Sequence, residues 1–289
     1  VEKLSNIQVL GWLPNNSNIE IHYRHLWLVP STEEKNSKRI IDELSKLVET
    51  HIDIEKTLLI AKSAPPLNFK QRISLKPIKK KIKIGVALDQ AFHFYYPENL
   101  ELLNRFATLK FFSPIHDINL PEVDGFFIGG GFPEVFAKEL ERNTSLRLSI
   151  KKAAENEIPI YAECGGLIYL TRNIITNRKH KMVGIFDANT LMQNRLEKVG
   201  YALAKIIKRT WFGKYNTFIK GHEFHYSKLI DLDSDLKFAY KMKIGNGIYN
   251  KFDGLIVHNA LASYMHVHAA SYQKFVHNFI KACEKFQRK

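Results

Sequence analysis

Cysteine is scarce: Cys164 and Cys283 are the only two in 289 residues. Two cysteines in so long a chain build no disulfide framework and point to a reducing cytoplasm. Acid is short as well. There are 29 Asp and Glu against 43 Lys and Arg, a formal net charge of +14. Such a balance suits nucleic acid, anionic lipid or an acidic small molecule. The lysines are scattered, however, from Lys35 and Lys38 through Lys79, Lys80 and Lys81 to Lys179 and Lys181. They form no aromatic-interleaved stripe, and no zinc-finger spacing or RNP-like motif accompanies them. Nucleic acid is therefore not an expected partner. No apolar run approaches the ~20 residues that cross a bilayer, so no membrane is expected either. The opening Val1-Glu2-Lys3-Leu4-Ser5 lacks the apolar core of a secretory leader. With Val first, the chain reads as a piece of a longer product.

What is present suits a folded α/β protein. Apolar residues make up 45% of the chain, enough for a sizeable core. Residues 8–13 read as a short buried strand and 25–29 as a second apolar stretch. Helices are predicted over 38–49, with Ile40, Ile41, Leu44 and Leu47 on one face, and over 53–61. Residues 67–81, rich in Lys and Arg, read as a linker between domains 1–66 and 82–289. After it strand and helix alternate: strands at 82–88, 109–112, 125–128 and 158–162, helices at 97–106, 133–142 and 145–156. That order predicts a mostly parallel sheet covered on both faces. Shorter strands are predicted at 201–207, 218–226, 236–242 and 255–257, and a last helix at 271–286.

The segment Ile158-Pro159-Ile160-Tyr161-Ala162-Glu163-Cys164-Gly165-Gly166-Leu167 carries the most chemistry. An apolar strand runs into Cys-Gly-Gly and then a helix. Such a turn holds a nucleophile at the carboxyl end of a sheet, with small neighbours that permit it. A helix N-terminus favours the thiolate form of a cysteine placed there. The N–H of Gly165 is placed for a developing oxyanion. The plain alternative is a cysteine packed behind the sheet, which is how Cys283 reads. A second strand-to-loop run, Asp124-Gly125-Phe126-Phe127-Ile128-Gly129-Gly130-Gly131-Phe132-Pro133-Glu134, could supply the other half of an oxyanion hole. One βα step separates the two loops, which puts both on the same sheet edge. The base would be a histidine. His266 and His268 follow a strand, and His222 and His225 lie in Gly221-His222-Glu223-Phe224-His225-Tyr226. Neither pair has the further ligands of a zinc site, so no metal is expected.

Taken together, Ala162-Glu163-Cys164-Gly165-Gly166-Leu167, the Gly129-Gly130-Gly131 loop and Ser263-Tyr264-Met265-His266 resemble a class I, triad-type glutamine amidotransferase domain. The variant is similar to the cobyrinate a,c-diamide synthase family, with further likeness in Asp89-Gln90-Ala91-Phe92-His93-Phe94-Tyr95-Tyr96-Pro97-Glu98-Asn99-Leu100. The likeness runs from about residue 7 to about residue 270. It implies a flavodoxin-like amidotransferase fold preceded by a partial P-loop-type domain. It implies that Cys164 attacks L-glutamine and His266 moves the proton, with Gly130, Gly131 and Gly165 as the oxyanion hole. Tyr95, Tyr96, Glu98, Asn99, His222 and Glu223 would lie near the substrate or the ammonia path. Arg24 and His25 match an Arg-His pair of the synthetase domain.

Two departures stand out. The family's triad has His-x-Glu, and here the position is His268; the third member is therefore absent or supplied elsewhere, with His268 and Asp89 as candidates. The Gly-rich P-loop of the ATP-binding half is also missing. The implied full reaction uses ATP and Mg²⁺ to amidate a cobyrinate-like polycarboxylate tetrapyrrole, with this chain as the glutaminase part, which needs no cofactor. A missing P-loop half would be a partner, from the same gene or another chain, and a homodimer is left open. Hydrogenobyrinate and nickel-sirohydrochlorin are alternative substrates, and a non-catalytic degenerate module is the rival of another class.

Overall fold

A computed structural model describes residues 2–5, 7–16, 19, 37–67 and 81–288. The chain divides into two compact units, residues 1–75 and 76–289. The predicted stretch 25–29 and most of the predicted linker lie outside the described residues, as do Arg24 and His25.

In the first unit α1 is Glu2–Ser5, α2 is Ser37–His51 and α3 is Ile54–Ser63. The Asp53 side chain caps α3 by accepting from the Lys56 N–H, which satisfies one otherwise orphaned donor. The buried strand expected at 8–13 does not form. Gly11 makes a single antiparallel bridge with Ile52, and Ile7, Val9, Trp12 and Leu13 stay exposed. One bridge leaves the ladder open, and the Trp12 ring packs edge-on against His51. The expected apolar face of α2 is only partly realised: Ile40 is buried, whereas Ile41 is 60% exposed. Helix α3 buries no residue.

The second unit is built on a nine-stranded sheet. Its parallel block holds β1 (Ile82–Ala87), β3 (Ala107–Phe112), β4 (Gly125–Ile128), β6 (Ile160–Glu163) and β15 (Ala260–Ser263) in the order β3-β1-β4-β6-β15. Antiparallel strands extend it beyond β15: β14 (Phe252–Val257), β13 (Lys237–Ile244), β10 (Lys198–Ile206) and β11 (Phe218–His225). The parallel strands are apolar almost throughout, as expected where helices cover both faces; in β1 only Lys83 is exposed. Alternation sorts their side chains. Phe127 and Tyr161 join one core cluster, and Phe126, Ile128, Ile160 and Ala162 the other.

Helices α4 (Pro97–Phe106) and α8 (Lys274–Gln287) contribute to the first cluster. Proline opens α4, where its missing N–H costs nothing. Helix α8 buries Phe275, Val276, Phe279, Ile280 and Cys283, a helical stripe in which each large side chain contributes about 1.5–3 kcal/mol of gross burial. The second cluster takes in α5 (Ala137–Arg142), α6 (Thr144–Glu155) and α7 (Gly165–Leu170). The helix expected from 133 starts at Ala137, because Phe132 and Val135 close a turn first. A four-stranded sheet, β12-β9-β7-β8, adds to this side with β7 (Thr171–Ile175), β8 (Lys179–Lys181), β9 (Phe186–Met192) and β12 (Ser227–Ile230). A small ladder joins β2 (Phe92–Phe94) to β5 (Gly130–Gly131). Among the described residues no helix is long and apolar enough to cross a membrane.

Candidate active site

Strand β6 lies between β4 and β15, all three parallel. Their carboxyl ends therefore deliver three loops to one place: Gly129-Gly130-Gly131 from β4, Cys164 from β6 and Tyr264-Met265-His266 from β15. Cys164 turns the chain from β6 into α7 with φ 47° and ψ −99°. A side chain there costs energy that only the surrounding structure can hold in place. Its N–H donates to Ser263 O at 2.8 Å and its carbonyl accepts from Ile168. The residue is 7% exposed, and its thiol donates to Phe224 O at 3.5 Å.

The loops touch. A Cβ on Gly165 would sit 2.8 Å from Gly131 N, and one on Gly130 would sit 2.7 Å from His266 Cε1. Only glycine allows these approaches. The β2–β5 pairing, Phe92 with Gly131 and Phe94 with Gly130, fixes the glycine loop from outside. The Tyr95 hydroxyl accepts from Gly129 N at 2.8 Å and donates to Ala87 O, so it ties that loop to the end of β1.

His266 is 3% exposed. Its backbone exchanges two hydrogen bonds with His222, at 2.9 and 3.1 Å, and the two imidazoles stack with centroids 4.8 Å apart. The Phe94 ring stands edge-on to it at 5.1 Å. Burial alone would lower the His266 pKa. Its polar and charge interactions with Cys164 and Glu163 outweigh burial and raise it to about 10. His222 moves the other way, down to about 4, because burial and the nearby His266 oppose its charge. It meets the Tyr96 hydroxyl through Nδ1 at 2.7 Å.

The carboxylate at His266 Nδ1 is Glu163, whose Oε2 lies 3.4 Å away. Neither Asp89 nor His268, the two candidates named from the sequence, takes that place. Asp89 is used up as a loop clamp: it accepts from Ala91 N, Phe92 N, the Ser113 hydroxyl and Ile115 N. His268 faces Glu98 at 3.5 Å and Tyr96 edge-on. Asn99 is buried and grips the loop after His266, donating to Val267 O at 2.8 Å and accepting from Ala269 N at 2.7 Å. Glu223 turns away from His222, as neighbours on a strand do. It is fully buried and accepts from Asn246 N and Gly247 N.

Tyr95, Tyr96, His222 and the glycine loop thus gather near Cys164 and His266, with Glu98 and His268 beyond Tyr96. The residue that sequence reasoning missed is Glu163. Its signal was a single acid closing an otherwise apolar strand, next to the cysteine.

A family model described as the CobB/CobQ-like glutamine amidotransferase domain matches residues 83–274. A cobyrinate a,c-diamide synthase of Methanosphaera stadtmanae is 40% identical over 286 residues, 98% of this chain and 62% of that protein. One of the same name from Archaeoglobus fulgidus is 40% identical over 287 residues, 99% of this chain and 62% of that protein. The chain thus spans about three fifths of the length of these curated relatives. Among solved structures, PurLQS from Thermotoga maritima matches with TM-score 0.51 at 14% identity, over 72% of this chain and 98% of that one. A glutamine amidotransferase matches with TM-score 0.51 at 15% identity, over 70% and 98%. At these identities the likeness establishes the fold, a class I glutamine amidotransferase-like α/β architecture.

Proposed function

The chain belongs to the CobB/CobQ-like glutamine amidotransferase family, and from that premise we propose that it hydrolyses L-glutamine to feed amidation of the a- and c-acetate carboxylates of cobyrinate. The observation that carries the hydrolytic part is the convergence of Cys164 and buried His266, each following one of two adjacent parallel strands, beside a glycine loop whose Gly130 lies against the imidazole. The Cys164 sulfur attacks the side-chain carboxamide, and Gly130, Gly131 and Gly165 receive the oxyanion. His266 passes a proton to the departing nitrogen, so ammonia leaves and a thioester remains. Water, deprotonated by His266, then releases glutamate and restores the thiol. Ammonia departs past Tyr96 and His222; His222, held neutral, is suited to pass NH₃ without trapping it as a cation.

The acceptor is inferred from the names of the relatives, and the chain's excess of basic residues suits a polycarboxylate. The residues of this chain do not fit MgATP. The sequence has no Gly-x-x-x-x-Gly-Lys-[Ser/Thr] run, and among the described residues no three His, Cys, Asp or Glu side chains group around a cation site. We assign ATP and Mg²⁺ to the part of the relatives that this chain does not span. Residues 1–66, with Arg24 and His25, would then be the end of that synthetase domain, joined through 67–81 to the glutaminase at 82–289.

Purified chain supplied with L-glutamine should release glutamate and ammonia, and Cys164→Ala should lower kcat at least about 10³-fold. A glutamine-like diazo-ketone should label the wild type at Cys164. Hydrolysis that survives in Cys164→Ala would overturn the reading.

A further inference from the structure

We propose that Glu163, the residue directly before the nucleophile, is the positioning carboxylate of His266, delivered on the nucleophile's own strand. The inference rests on the Cys164–His266 reading and deepens it. Parallel pairing makes the arrangement possible. Ser263 at the end of β15 pairs with Glu163 at the end of β6, so the chain leaving β15 carries His266 back over the Glu163 side chain. The two side chains are each 3% exposed, and Oε2 lies 3.4 Å from Nδ1. Catalytic hydrogen bonds in unliganded proteins are often this long and tighten around substrate.

The rest of the carboxylate is already engaged. Its Oε1 accepts from the Tyr161 hydroxyl at 2.6 Å and from Val267 N at 2.9 Å. Tyr161 is itself fully buried among Phe127, Phe212 and Phe275. One oxygen is thus pinned by a rigid phenol and by the backbone next to His266, which leaves the other to face the imidazole. A buried carboxylate needs such partners. With Glu163 at Nδ1, the proton rests on that nitrogen and Nε2 is left to exchange protons with the thiol and the departing ammonia. Among the described residues the other titratable groups near His266 are Cys164, His222 and His225, with Tyr96 behind His222. None of these can supply the negative charge at Nδ1.

The test is Glu163→Gln in the full chain. Its amide oxygen can keep the Tyr161 and Val267 bonds, while its NH₂ meets the Nδ1 proton donor to donor. The expected result is a kcat for glutamine hydrolysis lower by about 10²-fold or more, with KM within about threefold. Iodoacetamide alkylation of Cys164, followed against pH, gives a second readout that needs no glutaminase activity. The step reporting the His266 imidazolium should move to lower pH in Glu163→Gln, because the anion that favours the cation is gone. An unchanged kcat, or an alkylation profile that overlays the wild type, would overturn the proposal. Should Glu163→Gln fail to fold by near-UV circular dichroism, Glu163→Asp keeps the charge but withdraws it by one methylene. It should then lower kcat at constant KM, and a wild-type kcat in it would equally refute the role. If the wild type itself hydrolyses no glutamine, the functional reading fails, and the alkylation profile still decides for or against Glu163.

Discussion

The surroundings of the two cysteines differ in kind although both residues are buried. Cys164 is 7% exposed and Cys283 is 0% exposed. Cys164 follows a strand at a positive φ, with an interacting imidazole that Glu163 approaches. Cys283 lies mid-helix in α8, packed into the apolar cluster with Phe279 and Ile280. Burial pushes its thiol pKa up, and the charge of Asp124 adds to that. Burial therefore does not separate a working thiol from a structural one. What separates them is a polar partner that can exchange a proton. The largest expected effect follows directly. In the folded protein iodoacetamide should modify Cys164 at least about 10³-fold faster than Cys283, as read by peptide mass spectrometry over time. Comparable rates would dissolve the distinction.

Much of that contrast was legible in the sequence. The strand-to-Cys-Gly-Gly turn, the Gly129-Gly130-Gly131 loop and the parallel strands behind them rest on local signals, and β4, β6 and β15 bring them together. The third member was not legible. A carboxylate that reaches an imidazole about 100 residues away depends on strand order and register, which no local pattern encodes. Asp89 was equally opaque: its four acceptor contacts come from two separate loops. Strands β7 and β8 went unpredicted because Thr171–Ile175 and Lys179–Lys181 carry little apolar alternation. The buried strand expected at 8–13 failed for the opposite reason. Its residues are mostly apolar, but Gly11 meets Ile52 in a single bridge and Val9, Trp12 and Leu13 stay exposed.

A second buried group shows the Cys283 effect in a range that can be titrated. Asp253, on β14, is fully buried. Burial first, and then the neighbouring Glu223 charge, raises its pKa to about 7, although it accepts from the N–H groups of Gly254, Tyr264 and Met265. The folded pKa thus exceeds the unfolded value of about 3.9. The protonated form favours the fold, so this contribution is complete below about pH 4 and is lost as pH rises to about 7. Above that the cost is constant. Urea midpoints should therefore decline between pH 5 and pH 7, by at most about 1.4 kcal/mol per pH unit from this group. Asp253→Asn should flatten that slope. A slope of the same size in the variant would assign it to other groups and remove Asp253 as a parallel to Cys283.

The smallest effect probes Cys283 as packing alone. Gly125 opens β4 beside it, and a Cβ at position 125 would come within 2.5 Å of the Cys283 sulfur, 3.2 Å of Pro159 O and 3.4 Å of Phe279 Cζ. Gly125→Ala should therefore destabilise the protein by about 1–3 kcal/mol, the usual range for overpacking. Cys283→Ala alone removes one buried sulfur and should cost about 1 kcal/mol. Together the two should cost less than their sum, with a coupling of about 0.5–1 kcal/mol from urea unfolding. The gain stays partial because the backbone oxygen of Pro159 cannot withdraw as a side chain can. Glutamine hydrolysis should be unaffected in Cys283→Ala, since that sulfur packs among the apolar side chains of α8 rather than beside His266. Additive losses, or a fall in kcat with the double substitution still folded, would mean that Cys283 does more than fill space between α8 and β4.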